Sequence, residues 1–472
     1  MIGITSFGAY IPYYRLPRET IAKAWGGGSQ GGERSVANYD EDSLTMAVEA
    51  ARDCLTGVDS TKLNAIYFAS TTAPYREKLS ASILAQVFDA PRQVRTADVA
   101  NTLRSGTTAV LAALDALKAG SAKQALVTAS DMRLGFPKSN EEQHFGDAAG
   151  ALLLTSDDAA VTIDDAVSIS NEMVDVWRRD RDTYVRTWED RFISQHGYQD
   201  TLSEAVRALL QRNKLTAKEV GKAVLYSPDA RSSGGLARGL GFDAATQLQD
   251  PLVSKVGNCG AASTFLQLVA ALQAAKAGDR IVWASYGDGA DALLLRVRKP
   301  VVSRAKGVKG WLDAKALLPT YERYLSFRGI METTPDVPLR TLPWAAGTVE
   351  WRDRSQLLSL HGGKCRKCGT VHFPIQRVCY TCQAKDDYDE VCLWDKRGTV
   401  FSFTLDHLAG GLNPPVVETV VEMDESKARV YCQMTDVDPK DVKVGMPVEM
   451  TFRYFHEGAD FHNYFWKCRP AR

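Results

Sequence analysis

The chain has 472 residues, and its 57 Lys and Arg balance 57 Asp and Glu, so the formal net charge at pH 7 is +0. This length is too great for one average domain, and we expect two or three domains with sizeable cores. Nothing in this neutral balance indicates a polyanion-binding surface, so the sequence argues against nucleic acid as a partner.

The N-terminal segment, MIGITSFGAYIPYYRL, has no basic flank followed by a continuous apolar run. It predicts a first strand and turn, and not a signal peptide. No apolar run in the chain approaches the length of a membrane span. Four of the nine cysteines lie between residues 365 and 382 and the others are scattered, which is typical of a reducing compartment and one metal site. We expect a soluble, cytoplasmic protein.

A strand, a short polar turn and a helix are predicted in residues 94–120, VRTADVANTLRSGTTAVLAALDALKAG. In acyl-transfer enzymes a buried helix N-terminus of this kind holds a cysteine, because free N–H groups and the helix dipole lower the pKa of a thiol. Here the turn offers Leu103, Arg104 and Ser105, and no cysteine.

Two distant parts of the chain repeat one pattern of helix, buried strand and glycine turn. LAALDALKAGSAKQALVTAS at 111–130 is echoed by VAALQAAKAGDRIVWAS at 269–285, and FGDAAGALLL at 145–154 by YGDGADALLL at 286–295. Because both parts recur in the same order, we expect a duplicated α/β unit. The second helix opens on GNCGAAS at 257–263. A duplicated sheet brings the two positive helix ends toward one pocket, where they favour an enolate or thioester oxyanion.

The alternation of helices and strands ends after Arg298, where prolines interrupt the sequence around one amphipathic stretch. From Trp394 onward, short alternating strands separated by turn signals predict a small all-β barrel or sandwich. The expected boundaries are 1–165 and 166–300 for the two α/β halves, 301–350 for a linker with a helix, 351–392 for a metal ribbon and 393–472 for the barrel.

The ribbon contains two CxxC pairs, Cys365 with Cys368 and Cys379 with Cys382, separated by ten residues. Two such knuckles supply four thiolates at tetrahedral geometry, which is typical of zinc. Since no ligand position is left open for a substrate, we expect the zinc to be structural. His372 lies inside the ribbon, and we expect it at the surface and not among the ligands.

The first part of the chain resembles the thiolase superfamily, and within it microbial hydroxymethylglutaryl-CoA synthase and ketoacyl synthase III. The segments that carry the resemblance are GAYIPYYRL, STTAPYREKLSASILAQVF, DVANTLRSGTTA, FGDAAGALLL, DVWRRDRDTYVRTWEDRF, AVLYSPDAR, VGNCGAAS and SYGDGADAL. Residues 350–472 resemble the zinc-ribbon and OB-fold domain that accompanies many thiolase-type enzymes, through GTVFSFTLDH and MTDVDPKDVKVGMPVEMTF. The resemblance implies a duplicated αβαβα thiolase-like domain, then a zinc ribbon and an OB-fold barrel. It also implies a homodimer, and a barrel that serves acyl-CoA and not nucleic acid.

At the catalytic positions the sequence departs from the synthase pattern. The resemblance places the nucleophilic cysteine at Leu103, the histidine at Tyr226 and the general acid–base glutamate at Thr71, with Thr72 as the neighbouring register. The asparagine position is retained as Asn258. A leucine cannot carry an acyl group, so a ping-pong Claisen reaction through residue 103 is excluded chemically.

Chemistry without an acyl-enzyme remains open to these residues. An aldol or retro-aldol step needs a base for a hydroxyl proton and a stabilised thioester enolate. Tyr226 offers a phenolic O–H as a proton donor, whereas a basic role would require a depressed pKa. Asn258 offers a side-chain amide. Each has a structural alternative, since Tyr226 also suits packing at a strand end and Asn258 also suits a helix cap.

Four further residues complete the candidate site. Cys259 is either a substitute nucleophile or a small residue that fills the pocket wall. His144 precedes a Gly-Asp turn and either reaches the pocket mouth or lies on the surface. Arg104 either contacts a phosphate of CoA or a carboxylate, or pairs with an acidic neighbour at a dimer seam. Asp229 stands where the synthase pattern has asparagine, and the sequence assigns it no role.

The sequence leaves three functions open. The first is a lyase or transferase of acyl-CoA that makes or breaks a C–C bond by aldol or Claisen-type chemistry, without an acyl-enzyme at Leu103. The second is an acyltransferase that uses Cys259. The third is a non-catalytic partner that binds acyl-CoA and supports a thiolase-type subunit. Turnover by the purified chain separates the first two from the third.

Overall fold

The computed structural model divides the chain into two compact units. The residues that the structure describes are 1–301, 306–332, 346–409, 412–458 and 460–472. The first unit comprises residues 1–37, 42–85 and 90–324, and the second comprises residues 38–41, 86–89 and 325–472. Part of the expected linker, at 302–305 and 333–345, lies outside the described residues. No helix within the described ranges combines the length and hydropathy that a membrane crossing requires.

The first unit alternates strands and helices, as its sequence periodicity predicts. Its described strands are β1 (Gly3–Tyr10), β2 (Tyr14–Pro17), β3 (Glu33–Val36), β4 (Ala65–Ala69), β5 (Arg95–Val99), β6 (Gln124–Met132), β7 (Asp147–Thr155), β8 (Val161–Ser170), β9 (Val176–Trp177), β10 (Arg186–Thr187), β11 (Lys222–Leu225), β12 (Arg280–Tyr286), β13 (Gly289–Val297) and β14 (Ala316–Leu317). Its described helices are α1 (Arg18–Trp25), α2 (Ser43–Leu55), α3 (Ser80–Val87), α4 (Ser105–Lys118), α5 (Asn140–His144), α6 (Asp190–Phe192), α7 (Asp200–Arg212), α8 (Ser232–Gly239), α9 (Ser263–Ala274), α10 (Gly307–Asp313) and α11 (Tyr321–Phe327), the last reaching past the end of this unit.

The main sheet of the first unit consists of two similar halves. Its described strands run in the order β11-β12-β13-β8-β1-β7-β6-β4-β5. In one half β4 and β6 are parallel and β6 and β7 antiparallel, and in the other β11 and β12 are parallel and β12 and β13 antiparallel. The halves join where β1 pairs with β8. This topology confirms the duplication that the sequence repeat predicts.

Helices cover the two half-sheets and fill the layer between them. Helix α2 packs on β1, β6 and β7, and α7 packs on β8, β12 and β13. Helix α4 packs on β4, β5 and β6, whereas α9 contacts strands of both halves, including β7 and β11. A Cβ atom on Gly106 of α4 would lie 2.6 Å from the Phe265 ring of α9, so the central helices approach too closely for a larger residue there. The layers are those of the predicted αβαβα fold.

The second unit contains the cysteine ribbon and the all-β domain. Its described elements are α12 (Gly347–Leu357), β15 (His361–Cys365), β16 (Val371–His372), β17 (Tyr388–Cys392), β18 (Arg397–Asp406), β19 (Val416–Met423), β20 (Arg429–Met434), β21 (Pro447–Gly458) and β22 (Phe461–Pro470). Strands β16, β15 and β17 form a small sheet, and β18-β19-β20-β22-β21 close into a barrel. The five-stranded barrel agrees with the predicted OB-fold.

A buried ionic network ties residues 38–41 to the barrel within the second unit. Arg453, which is 0% exposed, pairs through its guanidinium with Glu41 at 2.6 Å and with Asp436 at 2.6 Å. Lys467 pairs with Asp40 at 3.0 Å. Burial opposes the charge of the Asp40 carboxyl, but Lys467 and Arg453 outweigh it and lower the pKa of that group. The Asp40 carboxyl is therefore ionised at neutral pH.

Replacing Arg453 tests how far the barrel depends on this network. The substitution Arg453→Met leaves three buried carboxylates without their shared cation, and we expect it to lower the free energy of unfolding by about 3–5 kcal/mol. Urea unfolding followed by the fluorescence of the buried Trp466 measures the loss. Arg397→Met removes an exposed arginine of β18 as a control, and equal stability of the two variants would contradict the expectation.

Candidate active site

The centre of the candidate site is a hydrogen bond between Tyr226 and Asn258 in the first unit. Tyr226 directly follows β11, and Asn258 lies in the loop that leads into α9. The Nδ2 atom of Asn258 donates to the Oη atom of Tyr226 at 2.8 Å, and each residue is 3% exposed. The structure therefore places in contact the two residues that the sequence suggested for proton transfer and charge stabilisation.

Two glycine turns hold the Asn258 loop in place. Gly257 has a φ of +95°, which favours glycine, and a Cβ atom on Gly146 would lie 1.8 Å from the Val256 carbonyl oxygen. This close approach lets the Asn258 N–H donate to the His144 carbonyl at 2.7 Å, and the Gly146 N–H donate to the Asn258 carbonyl at 3.0 Å. A side chain at either glycine would displace the Asn258 amide.

The side chain of Asn258 makes both kinds of contact that the sequence left as alternatives. Its Oδ1 atom accepts from the Gly260 N–H at 3.0 Å and from the Ser263 hydroxyl at 3.3 Å, at the turn that begins α9. Those bonds fix the orientation of the amide, so that its Nδ2 atom points at Tyr226. The Asn258 side chain therefore caps the turn before α9, and the same bonds position its Nδ2 donor.

The environment of Tyr226 suits a proton donor. Burial raises the pKa of its phenol, although the charge of Arg133 and the Asn258 amide both oppose that effect. The phenol is therefore protonated at neutral pH. Its oxygen already accepts the Asn258 N–H, and no described residue accepts its own proton. That proton is free for a substrate.

Aromatic and aliphatic side chains form the wall beside Tyr226. Leu103 is 6% exposed and belongs to the same apolar cluster as Tyr198, Tyr226 and Tyr286. The rings of Tyr226 and Tyr286 have centroids 6.1 Å apart, and the Tyr198 hydroxyl donates to the Tyr226 carbonyl at 2.8 Å. Residue 103 is thus a packing residue of the site.

The start of α4 is held by contacts within the first unit. The guanidinium of Arg104 donates to the Gly287 carbonyl and to the Asp291 carboxylate, both at 2.8 Å. The Thr107 hydroxyl donates to the same carboxylate at 2.7 Å. The structure therefore gives Arg104 an acidic partner in its own chain, and its contact with CoA stays a prediction. The buried Ser105 hydroxyl has no partner among the described residues.

Cys259 lies next to Asn258 but is enclosed. It is 1% exposed, and its Sγ atom lies 3.5 Å from the Gly257 carbonyl oxygen. Burial, and then the charge of Asp147, raise the pKa of the thiol well above its ordinary value. A nucleophilic cysteine needs the opposite shift. The surroundings of Cys259 are those of a residue in a pocket wall, and its use as a nucleophile stays a prediction.

His144 and Asp229 lie near each other at the edge of the site. His144 is half-buried, and burial and the charge of Arg18 lower the pKa of its imidazole, which is therefore neutral at pH 7. Asp229 accepts from the backbone N–H groups of Arg231 and Ser232 at 2.6 and 2.9 Å. The carboxylate of Asp229 thus holds the turn before α8, which is a role that the sequence did not indicate.

Asp131, which the sequence analysis did not single out, joins the two halves of the sheet. It is 0% exposed and lies near the end of β6. Its carboxylate accepts from the Thr71 N–H at 2.7 Å, from the Thr72 hydroxyl at 3.0 Å and from the Ala261 N–H at 2.8 Å. Asp131 thereby holds Thr71 beside the loop that carries Asn258.

Two further charged residues face the Tyr226 phenol. Arg133 is 3% exposed, and its guanidinium carbon lies 4.2 Å from the centre of the Phe145 ring. Asp175 is 7% exposed and lies beside the Tyr286 hydroxyl. Burial raises the pKa of the Asp175 carboxyl, against the opposing effects of Tyr286 and Arg133. A carboxyl in such surroundings can exchange a proton closer to neutral pH than an ordinary aspartate.

The sequence contained a signal for these residues. The apolar run of β6 ends in SDMRLG, where two charged residues follow a buried strand. Asp175 opens the segment DVWRRD, which lies within a segment that carries the resemblance to the synthases. Polar residues at the ends of buried strands are frequent members of α/β sites.

The four ribbon cysteines come together in the second unit as predicted. Their Sγ atoms all lie within 4.8 Å of one another, with Cys365 and Cys382 at 3.6 Å and Cys368 and Cys379 at 3.5 Å. Tetrahedral zinc with Zn–S bonds of about 2.3 Å separates its sulfur atoms by about 3.8 Å. The thiolates fit that ion, and four of them leave no open position. Zinc bound by these four cysteines would be structural and would hold the ribbon together.

The expectation that His372 lies at the surface is wrong. The residue is 4% exposed, and its ring packs edge-on against Tyr380 with centroids 4.5 Å apart. Strand β16 pairs with β15 and directs this side chain inward, which the short strand did not reveal in the sequence. His372 is not part of the four-cysteine cluster.

A second group of possible ligands in the same unit is explained by ion pairing. Asp89, His361 and Cys392 also lie within 4.8 Å of one another. Both ring nitrogens of His361 are engaged, Nε2 with Asp89 at 2.7 Å and Nδ1 with Glu390 at 3.0 Å. Burial opposes a charge on this ring, but the two carboxylates outweigh it and raise the pKa of His361. The cluster is a histidine held between two carboxyl groups.

Two family models match the second unit. Residues 359–388 match the model described as ChsH2, rubredoxin-like zinc ribbon domain, and residues 394–453 match the model described as ChsH2, C-terminal OB-fold domain. These matches confirm the predicted zinc ribbon and OB-fold.

The first unit has the fold of the thiolase superfamily. A crystal structure of HMG-CoA synthase complexed with CoA matches with a TM-score of 0.64 at 20% identity, over 71% of this chain and 92% of that one. The 3-oxoacyl-[acyl-carrier-protein] synthase III of Aquifex aeolicus matches with a TM-score of 0.57 at 23% identity, over 63% of this chain and 100% of that one.

Sequence identity to curated relatives identifies the family of this chain. The hydroxymethylglutaryl-CoA synthase of Methanosphaera stadtmanae is 32% identical over 343 residues, which are 70% of this chain and 99% of the relative. That of Methanosarcina mazei is 31% identical over 345 residues, which are 70% of this chain and 98% of the relative. The chain belongs to the hydroxymethylglutaryl-CoA synthase family.

Metal analysis tests the ribbon. We expect one zinc per chain, and Cys379→Ser to lose it and unfold the ribbon while the first unit keeps its structure. Cys392→Ser alters a cysteine of the ion-paired cluster and should retain the full zinc content. Elemental analysis of the purified full chain provides the count. Full occupancy in Cys379→Ser, or no zinc in the wild type, would refute the assignment.

Proposed function

We propose that this chain binds an acyl-CoA and makes or breaks a C–C bond next to the thioester by aldol-type chemistry, without an acyl-enzyme. The buried hydrogen bond between Tyr226 and Asn258 carries the proposal, because it fixes a phenol whose own proton has no acceptor among the described residues, in a cluster that contains Leu103 and no thiol. Relatives named hydroxymethylglutaryl-CoA synthase, and a similar structure described as complexed with CoA, support acyl-CoA as the ligand.

In the cleavage direction, the substrate is a β-hydroxyacyl-CoA. The Asp175 carboxylate accepts the hydroxyl proton, the Cα–Cβ bond breaks, and its electron pair moves into the thioester as an enolate. One product is a carbonyl compound. The Tyr226 hydroxyl then gives its proton to the enolate, and the proton on Asp175 restores the phenol through solvent. The synthetic direction runs through the same groups in reverse.

Fixed donors stabilise the enolate oxygen in this proposal. The Asn258 amide is oriented by its bonds at the start of α9. Its Nδ2 group donates to the Tyr226 hydroxyl and, at 3.4 Å, to the Pro228 carbonyl, so one N–H turns from the longer contact to the enolate oxygen. The N-terminus of α4, where the Ser105 hydroxyl is buried without a partner among the described residues, contributes further N–H groups. A thioester oxygen near the N-termini of α4 and α9 is stabilised by the positive ends of both helix dipoles.

Acyl transfer through Cys259 is the second candidate for the chemistry. The position of this residue beside Asn258, ahead of α9, is the observation in its favour. Its thiol is nevertheless enclosed, and burial raises its pKa. A thiol that stays protonated is a poor nucleophile. The aldol-type proposal avoids this difficulty.

A non-catalytic partner subunit is the third candidate. The matches of residues 359–388 and 394–453 to ChsH2 domain models favour a chain that works beside another protein. A binding subunit of that kind would hold acyl-CoA and need no proton donor. The orientation of the Tyr226 phenol by Asn258 supports catalysis over binding alone.

The remaining proposals concern assembly and the barrel. Strand β5 is an edge strand of the main sheet beside the segment DVANTL, so it can pair with its copy in a homodimer.

The barrel is proposed to serve acyl-CoA and not polynucleotide, because its charges are mixed and GTVFSFTLDH lacks a run of Lys and Arg. We also propose a cytoplasmic location.

Removing the phenolic hydroxyl tests the proton donor. Tyr226→Phe keeps the ring, and we expect it to lower kcat roughly a hundredfold or more in assays of β-hydroxyacyl-CoA cleavage. Asn258→Ala should lower kcat more than it raises KM, because the amide acts on developing charge. Cys259→Ala, at the adjacent enclosed position, is the matched control and should be mild.

Two outcomes would replace this proposal. If Cys259→Ala abolishes turnover and the wild type traps a labelled acyl group on that residue, the chain is an acyltransferase. If acyl-CoA binds but none is turned over, with or without a thiolase-type partner, the chain is a binding subunit.

The pH profile tests Asp175. A base must be ionised, and burial raises the pKa of this carboxyl. We therefore expect kcat to fall as the pH drops through a pKa that lies above the ordinary aspartate pKa of about 3.9. Asp175→Asn should remove this acidic limb and lower kcat about a hundredfold. Asp180→Asn, which alters an exposed partner of Arg76, is the control and should keep the wild-type profile. An acidic limb that survives in Asp175→Asn argues against this base.

A further inference from the structure

A second group of metal-binding side chains lies at one end of the ladder between β15 and β17 in the second unit. His361 of β15 is the direct cross-strand partner of Cys392 of β17, so their side chains lie on the same face of this small sheet. Glu390 stands two residues before Cys392 and shares that face. The sheet therefore brings an imidazole, a thiol and a carboxylate together.

Asp89 adds a second carboxylate from a distant part of the chain. It follows α3, and its Oδ2 atom lies 2.7 Å from the Nε2 atom of His361. A carboxylate oxygen of Asp89, a ring nitrogen of His361 and the Sγ atom of Cys392 all lie within 4.8 Å of one another. Zinc bonds of about 2.0–2.3 Å separate ligand atoms by about 3–4 Å. Small side-chain rotations are therefore enough for one ion to contact all three.

Glu390 supplies the outer contact that is typical of a metal-bound histidine. Its carboxylate lies 3.0 Å from the Nδ1 atom of His361, whereas Asp89 lies at Nε2. A histidine that binds a metal through one ring nitrogen usually donates its other N–H to a carboxylate, which orients the ring. A proton on Nδ1 that is directed at Glu390 leaves Nε2, which faces Asp89, for the ion.

The cluster is separate from the four-cysteine site and open to solvent. Cys365 pairs with Tyr388 at the other end of the same ladder, four residues from His361, which is about 13 Å along the strand. The side chains of Asp89 and Glu390 are 32% and 45% exposed. An ion can therefore reach the cluster without disturbing the ribbon cysteines.

We propose that Asp89, His361 and Cys392 bind a second zinc ion, which exchanges more readily than the ion of the ribbon. Nitrogen, sulfur and oxygen ligands in one site suit zinc, whereas magnesium and calcium take oxygen ligands. Three protein ligands and partial exposure hold an ion less tightly than four thiolates, and they leave a fourth position for water. The ion links residues 86–89 to the ribbon sheet within the second unit.

Protons compete with the ion for this site. Burial, and then the charge of Asp395, raise the pKa of the Cys392 thiol to about 12, so the thiol is protonated in the metal-free chain at neutral pH. When zinc bonds to the three ligand atoms, the thiol proton and the proton between His361 Nε2 and Asp89 leave to solvent. Ion pairing therefore accounts for the metal-free cluster, and zinc takes the place of its protons.

Equilibrium dialysis of the full chain against free zinc tests the proposal. We expect the wild type, with its ribbon loaded, to bind a second equivalent that gel filtration in a mild chelator removes. Asp89→Asn and Cys392→Ser should lose this second equivalent and keep the first. Glu390→Gln should weaken it about ten- to a hundredfold, because the ring loses its outer contact. Asp387→Asn, which alters an exposed partner of Arg366, is the control and should bind both ions.

Cobalt identifies the ligands without any substitution. Added to the wild type with its ribbon zinc in place, Co²⁺ should bind at the second site and give a thiolate-to-cobalt absorption band, while the zinc content stays unchanged. An excess of Mg²⁺ should not displace it, because the site offers nitrogen and sulfur.

Three outcomes would overturn the second site. They are a wild type that binds one zinc only, a second equivalent that Asp89→Asn and Cys392→Ser both retain, and loss of the second equivalent in Asp387→Asn as well. Cobalt bound without a thiolate band indicates an adventitious carboxylate site and also contradicts the proposal. The cobalt spectrum of the wild type decides the point even if the variants unfold.

Discussion

The candidate site depends on one backbone crossing, where the loop before α9 meets the turn before β7. Gly146 donates to the Asn258 carbonyl while Asn258 donates to the His144 carbonyl, and the Val256 carbonyl occupies the space that a side chain on Gly146 would need. This crossing joins the two halves of the duplicated sheet. It also fixes the backbone on each side of the Asn258 amide, so the polar groups of the site are held by the fold and not by a flexible loop.

Buried carboxylates reinforce that crossing from both halves. Asp131, from the first half, accepts the Ala261 N–H ahead of α9, and Asp291, from the second half, accepts from Arg104 and Thr107 at the start of α4. Each acid thus lies at the positive end of the central helix of the other half, where the helix dipole stabilises a negative charge. The helix ends are the part of the fold that can stabilise an oxyanion, so the same contacts that bind the halves together also shape the site.

The sequence predicted what local patterns determine and missed what depends on packing. The duplication, the four-cysteine ribbon and the barrel follow from periodicity and spacing. The matched segments pointed to Tyr226 and Asn258, which the structure brings into contact, and their catalytic roles stay predictions. Arg133 and Asp175 were missed because their burial beside Tyr226 results from packing, which no local pattern encodes. The sequence could not give the direction of a pKa shift either. A helix N-terminus lowers the pKa of a thiol, yet burial outweighs that effect at Cys259.

The two halves of the fold contribute unequal chemistry to one site. The second half supplies the aromatic and amide groups, Tyr226 and Asn258, whereas the first half supplies charge through Asp131 and Arg133. A duplicated sheet alone would give two equivalent helix ends. Here one end is lined by Leu103 and the other carries Asn258, so the two halves differ at the candidate site. The second half also adds carboxylates, Asp175 and Asp291, so neutral donors and charged groups converge on the candidate site from both halves of the fold.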